Sequence, residues 1–177
     1  MSFAPIESLL LLVDFQSRLM PWIEGDAEAV ANALRLAGAA KLLEVPVLAT
    51  EQNPAGLGPN VDEIRNAAAA TLEKRFFDAT REPRWPEFAP RGRKHVVVAG
   101  CEAHVGVMQT VIGLLGKGYA VRLVADAVGS RTAESRRVAL ERAASKGAEI
   151  VTTEMVIFEW LVTCDHPRFR EILQIVK

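Results

Sequence analysis

A three-layer α/β domain, with helices on both faces of a central, mostly parallel sheet, is the fold class that this sequence predicts from three features of its pattern. Short runs of valine and leucine alternate with longer segments whose apolar residues recur every three to four positions. The short runs are nearly continuous in apolar character, as strands buried on both faces require. The segments between them are long enough for a helix, which implies parallel pairing through right-handed crossovers. With 177 residues, no repeat, no low-complexity tract and no linker, the chain is expected to form a single domain over residues 1–177.

Taken in order, Ser8 to Val13 reads as the first strand and ends at Asp14. Asp26 caps a helix that runs to Leu43, with Val30, Leu34, Ala37 and Leu42 on its apolar side. Val45 to Ala49 is the next strand. It opens into Thr50-Glu51-Gln52-Asn53-Pro54 and a loop rich in Gly and Pro. A short helix starting at Asn60 or Asp62 runs toward Ala70, and Thr71 to Phe77 is a short strand or extended segment carrying Lys74. Arg81 to Gly92 is a surface connection with room for one helical turn. His95 to Ala99 is a buried strand, and a helix begins at Ala103 with Val107, Val111, Leu114 and Leu115 on one side until Gly116 and Gly118 end it. Ala120 to Ala125 is a strand, Ala133 to Lys146 a helix behind Thr132, Ala148 to Thr152 a last strand, Met155 to Val162 a helix, and Pro167 to Ile175 a terminal one.

Composition narrows the function. Half the residues are apolar and the formal net charge is -1, with neither a basic stripe nor interleaved aromatic residues, so nucleic acid is not the expected partner. Cys101 and Cys164 lack Cys-x-x-Cys spacing, which suits a reducing, cytoplasmic setting. No basic segment precedes Leu9 to Val13, and that run is too short to span a bilayer, so no membrane association is expected. No Gly-x-Gly-x-x-Gly follows the first strand and no phosphate-binding loop occurs. His95, His104 and His166 lack ligand spacing and read as surface or capping residues, and no metal or other cofactor is expected. The remaining chemistry is Asp14, Gln52, Lys74 and the loop from Cys101 to Gly106. Each lies at or near the carboxyl end of an expected strand, where open α/β sheets bind ligands. A small-molecule substrate is the expected partner.

The segments LLLLVDFQ, VPVLATEQNPAGLGP, LEKRFFDA, VVVAGCEAHVGVMQT, VADAVGSR and IVTTEMVIFEWL, in that order, resemble the isochorismatase-like hydrolases, also called the cysteine hydrolase superfamily. The likeness covers almost the whole chain and implies their Rossmann-like topology. Amidases of that family use an Asp, a Lys and a Cys, and the first two match Asp14 and Lys74. The cysteine ends the pattern G-x-x-[TA]-x-x-C, and counting from Gly100 that position is Gly106. Cys101, five residues earlier, reads as a small residue packed behind the loop. Glycine supplies no nucleophile, so thiolate attack on an amide is disfavoured.

True isochorismatases are similar in having A-H-x-G at this place, as Ala103-His104-Val105-Gly106 does, and they cleave a vinyl ether without a covalent intermediate. The resemblance therefore implies that Asp14 acts as an acid, with Lys74 beside it at ion-pair distance. Gln52 matches a substrate-contacting glutamine, and the N–H groups of Ala103 and Gly106 are expected to face the substrate as an oxyanion hole does. It also implies a cis peptide just before Ala103, no zinc (Glu51-Gln52-Asn53 lacks the histidine of the zinc-binding relatives), and homo-oligomers, with Trp85, Phe88, Ile157 and Trp160 as candidate interface residues. Two functions stay open on these residues: a hydrolase working through Asp14 and Lys74, or a catalytically silent relative that binds a metabolite or a protein partner.

Overall fold

The structure, a computed structural model, describes residues 3–177. Six strands form one sheet: β1 (Ser8–Val13), β2 (Val47–Gln52), β3 (Ala70–Lys74), β4 (His95–Cys101), β5 (Ala120–Gly129) and β6 (Glu149–Val151). Their order across the sheet is β3-β2-β1-β4-β5-β6, and every neighbouring pair is parallel. The chain thus works outward from β1 in one direction, then crosses back and works outward from β4 in the other. The carboxyl ends of β1 and β4 flank the point of reversal, where the connecting helices leave toward opposite faces and open a crevice.

The α-helices among the described residues are α1 (Asp26–Leu42), α2 (Pro54–Leu57), α3 (Asp62–Ala67), α4 (Trp85–Phe88), α5 (Met108–Gly116), α6 (Ala133–Ser145), α7 (Thr153–Leu161) and α8 (Phe169–Val176). The alternation of side chains along β1 sorts them into two layers. Leu10 and Leu12 join Val97, Ala99 and residues of α1, α3, α7 and α8 in one core. Leu9, Leu11 and Val13 join Val96, Val98 and residues of α4, α5 and α6 in the other. All six β1 side chains are buried, and each leucine contributes about 1.5–3 kcal/mol by leaving water. Gly100 is required between the central strands: at φ +151° an added Cβ would stand 2.2 Å from Val13 O.

The expected elements are all present, with shifted ends. β2 continues past Ala49 to Gln52, where Thr50, Glu51 and Gln52 pair with Leu72, Glu73 and Lys74, and β5 past Ala125 to Gly129, where Val128 and Gly129 pair with Gly100 and Cys101. Gly25, in the left-handed region at φ +73°, occupies the N-cap of α1 in place of Asp26, whose carboxylate accepts from Ala27 N–H instead. The deepest side of α1 is Ala33, Leu36, Ala37 and Ala40, while Val30, Leu34 and Leu42 sit half-buried beside it. Ala103 does not open a regular α-helix: Ala103–Val107 is one wide turn, in which the N–H groups of Val105 and Val107 both donate to Glu102 O, and α5 starts at Met108. The cis peptide lies between Cys101 and Glu102, one bond earlier than the position adjoining Ala103. Trp85, Ile157 and Trp160 are core residues, and Phe88 packs half-buried against the second core, so none of the four offers a broad outer surface. His95 is likewise buried, stacked on Phe3 with ring centroids 4.3 Å apart, in place of the expected surface position. No helix among the described residues is long and apolar enough to cross a membrane.

Candidate active site

Asp14 is the first residue beyond β1 and takes φ +55°, a left-handed conformation that aspartate tolerates better than bulkier side chains. Its N–H donates to Thr50 O at 3.2 Å, which ties the turn to β2. The carboxylate is pinned at both oxygens. Oδ1 accepts from Thr50 Oγ1 at 2.7 Å, and Oδ2 lies 2.7 Å from Lys74 Nζ. Lys74 reaches this point because β3 pairs in register with β2, placing Lys74 opposite Gln52 at the same end of the sheet.

Lys74 is saturated. Besides Asp14, its ammonium donates to Gln52 Oε1 at 2.7 Å and to Phe77 O at 3.3 Å, so all three N–H groups have acceptors. Gln52 is engaged at its other end too, where Nε2 donates to Arg75 O at 2.8 Å. In this geometry Gln52 orients the lysine. Arg18 and Arg75, the other cations near this loop, donate to Ala55 O and Gly56 O and to Asn53 Oδ1 respectively. A hollow of about 210 Å³ lies outside the pair, bounded by Pro54, Ala55, Glu73, Lys74 and Arg75.

Burial and the adjacent Lys74 ammonium act on the Asp14 carboxyl in opposite directions. Removal from water raises the Asp14 carboxyl above its ordinary value of 3.8, and this outweighs the opposing pull of the Lys74 ammonium and of hydrogen bonds from Lys74, Thr50 and the Gln52 backbone. Such a carboxyl keeps its proton to higher pH than an exposed aspartate, which suits an acid.

Gly106 completes the constellation. A Cβ at this position would stand 2.8 Å from Asp14 Oδ2, 3.5 Å from Lys74 Nζ and 3.8 Å from Phe77 O. The three positions, distant in sequence, therefore meet at one point, and the glycine leaves the carboxylate the space that any side chain would take. Ala103 is fully buried in the core beneath α5. Cys101 points to the opposite layer, packed with Ile23 near Gly129. Burial pushes its thiol up to about 12, so it remains protonated near neutrality.

Several residues of this centre had no signal in the sequence. Thr50 holds Asp14. Gln16, fully buried, donates to Gln52 O and Gly58 O and accepts from Gln52 N–H, fixing the end of β2. Thr110 donates to Phe77 O, the acceptor that Lys74 also uses. Residue type and spacing do not distinguish these from ordinary polar residues; only their places at strand ends or in the first turn of α5 do. Among the described residues, no group of three or more His, Cys, Asp or Glu side chains is arranged to hold a metal ion.

Residues 8–155 match the isochorismatase domain. The chain belongs to the isochorismatase domain family. Among its relatives, isochorismatase domain-containing protein 2 of Xenopus laevis is 37% identical over 96% of this chain and 83% of its own length. Isochorismatase domain-containing protein 1 of Danio rerio is 34% identical over 99% of this chain, which spans 63% of that longer protein. A solved structure named as the MAR1 ribonuclease of Caenorhabditis elegans superposes with a TM-score of 0.92 at 32% identity, covering 98% of this chain and 91% of the other. The six-stranded parallel sheet matches that of its structural relatives, and the Asp14, Lys74 and Gly106 cluster stands at the carboxyl ends of its strands.

Proposed function

We propose that this isochorismatase-family chain is a small-molecule hydrolase in which Asp14 supplies a proton and water, instead of a thiol, supplies the nucleophile. The observation that carries this is the contact at Gly106: a Cβ at this position, which the family resemblance assigns to a cysteine, would adjoin Asp14 Oδ2, and no nucleophilic atom stands there. A vinyl ether suits such a site better than an amide. Protonation of its terminal enol carbon by Asp14 yields an oxocarbenium ion, water adds to that cation, and the hemiketal collapses to an alcohol and a ketone. The carboxylate regains its proton from the added water, so no covalent enzyme intermediate forms.

Lys74 then acts by stabilising the carboxylate after proton transfer, with Gln52 orienting the lysine and bordering the substrate. The backbone N–H groups of Ala103 and Gly106 are assigned to a substrate oxygen, since the start of a helical segment leaves such donors without partners. The chain is further proposed to work as a homo-oligomer in the cytoplasm. Trp22, Phe76 and Phe77 supply exposed apolar surface of the kind that subunit contacts cover.

A substrate panel tests the reading: vinyl ethers, amides, ureido acids and, because of the name of the C. elegans protein, a single-stranded RNA oligonucleotide. Cleavage of vinyl ethers with no adduct in the intact protein mass is the expected result. Amide turnover through an adduct on Cys101 overturns the assignment. Failure across the panel together with ligand-induced thermal stabilisation supports a silent binding protein instead.

A further inference from the structure

A second constellation lies on the α1 side of the sheet's carboxyl end. Ser130, directly after β5, is 1% exposed, and its Oγ lies 3.0 Å from His104 Nδ1. Ser130 lines a cavity of about 330 Å³ whose wall includes Glu24, Glu28, Asp126, Thr132 and Arg136, and to which Asp14, Lys74 and Gly106 do not contribute. The proposed vinyl-ether chemistry uses neither member of this pair.

We propose that Ser130 and His104 form a nucleophilic dyad that hydrolyses small esters bearing no negative charge. With the proton of His104 on Nε2, Nδ1 accepts the Ser130 hydroxyl proton. Oγ then bonds to the ester carbonyl carbon. Collapse breaks the bond from that carbon to the alkoxy oxygen, which leaves as an alcohol with the proton from His104. Water repeats the sequence, releasing the carboxylic acid and restoring Ser130.

The cavity selects the substrate by size and charge. About 330 Å³ admits only a small acyl and alkoxy pair. Glu24 is fixed by Ala133 N–H at 2.9 Å and Asp126 by the Thr153 N–H and hydroxyl at 2.8 and 3.0 Å, so two of the three carboxylates are held in place. Arg136 is the one cation in the wall, and its guanidinium is tied to Val128 O and Ala125 O. Anionic esters are therefore repelled, and neutral or amine-bearing ones are accepted. Among the described residues no carboxylate bonds the other nitrogen of His104, so the dyad lacks the orienting third group of a triad and turns over slowly.

Diisopropyl fluorophosphate is the probe, with peptide mapping by mass spectrometry. Its phosphorus bonds to an activated serine Oγ, fluoride leaves, and the serine proton passes to the base. The expected result is a diisopropylphosphoryl group on Ser130 of the native protein, formed at least about tenfold more slowly in His104→Gln. Asp14→Asn, which should abolish the vinyl-ether activity, is expected to label like the native protein, so the two proposals fail separately. Absence of label on Ser130 in the native protein overturns the dyad whether or not the His104 variant folds, and so does equal labelling in folded His104→Gln.

Discussion

The sheet carries a buried cation toward each of its ends, and the two are held in opposite ways. At the amino end, the Arg122 side chain (6% exposed) pairs with Glu149 and Glu159, whose side chains are 58% and 38% exposed, and its guanidinium lies 3.7 Å from the centre of the Phe3 ring. At the carboxyl end, Lys74 (0%) pairs with a single carboxylate, Asp14 (5%). The acids around Arg122 keep their contact with water, so that cluster ties β5, β6 and α7 together at little desolvation cost. The Asp14 and Lys74 pair has given up water on both sides and persists only because every donor of the ammonium has an acceptor. The pair stands at the crevice, where the proposed chemistry would use it.

Removing one partner at each end is the sharpest way to break that comparison. Asp14→Ala strands a buried ammonium and is expected to cost about 3–5 kcal/mol in urea unfolding at neutral pH. Arg122→Ala leaves two carboxylates that water can reach, and is expected to cost about 1–2 kcal/mol. Equal losses would show that the two pairs are equally solvated. The double variant Asp14→Ala/Lys74→Met sharpens the point, since it removes both charges and should recover at least about 2 kcal/mol of the Asp14→Ala loss while remaining inactive.

Gly106→Cys comes next in size. Its Cβ would stand 2.8 Å from Asp14 Oδ2, so the pair must shift, at a cost of about 1–3 kcal/mol. In iodoacetamide mapping of the native variant, residue 106, beside the Lys74 ammonium, is expected to react before Cys101, whose thiol titrates only near 12. Exposed Cys164 provides the internal standard. Faster reaction of Cys101 in both wild type and variant would transfer the nucleophile's role to it.

A smaller effect distinguishes the ends by pH. Asp14 binds its proton more tightly when folded than its ordinary value of 3.8 allows, so the folded state holds more protons between the two values. The stability linked to this proton is complete below about 3.8 and is lost as pH rises through the folded value. The urea midpoint of wild type should fall relative to Asp14→Asn across that range, and parallel profiles would refute the raised carboxyl. The gentlest test is sedimentation: exposed Trp22, Phe76 and Phe77 lead us to expect self-association at micromolar protein, which a concentration-independent monomer mass would contradict.

The valine- and leucine-rich strands were legible because burial on both faces leaves no polar alternation to confuse them. The ends of β2 and β5 were not, since Thr50, Glu51 and Gln52 look like loop residues until β3 pairs with them, and β5 rejoins β4 only at Val128 and Gly129, after a shift of register. The wide turn at Ala103–Val107 was hidden because its apolar spacing suits a regular helix equally well. Asp14, Lys74 and Gly106 were singled out through family resemblance; no local spacing joins residues separated by so much chain. Thr50, Gln16 and Thr110 escaped because a single polar residue carries no periodic signal. The pairing of His104 with Ser130 arises from two adjacent strand ends that only the folded sheet brings together.

The central claim is that Asp14 donates the proton at a site without a thiol. The kcat of wild type and Asp14→Asn on a vinyl ether, measured with both proteins verified as folded, tests it most directly. Asparagine preserves the shape and the hydrogen bond from Thr50 but has no proton to give, so a fall of at least about 100-fold is predicted. An unchanged kcat would contradict the account.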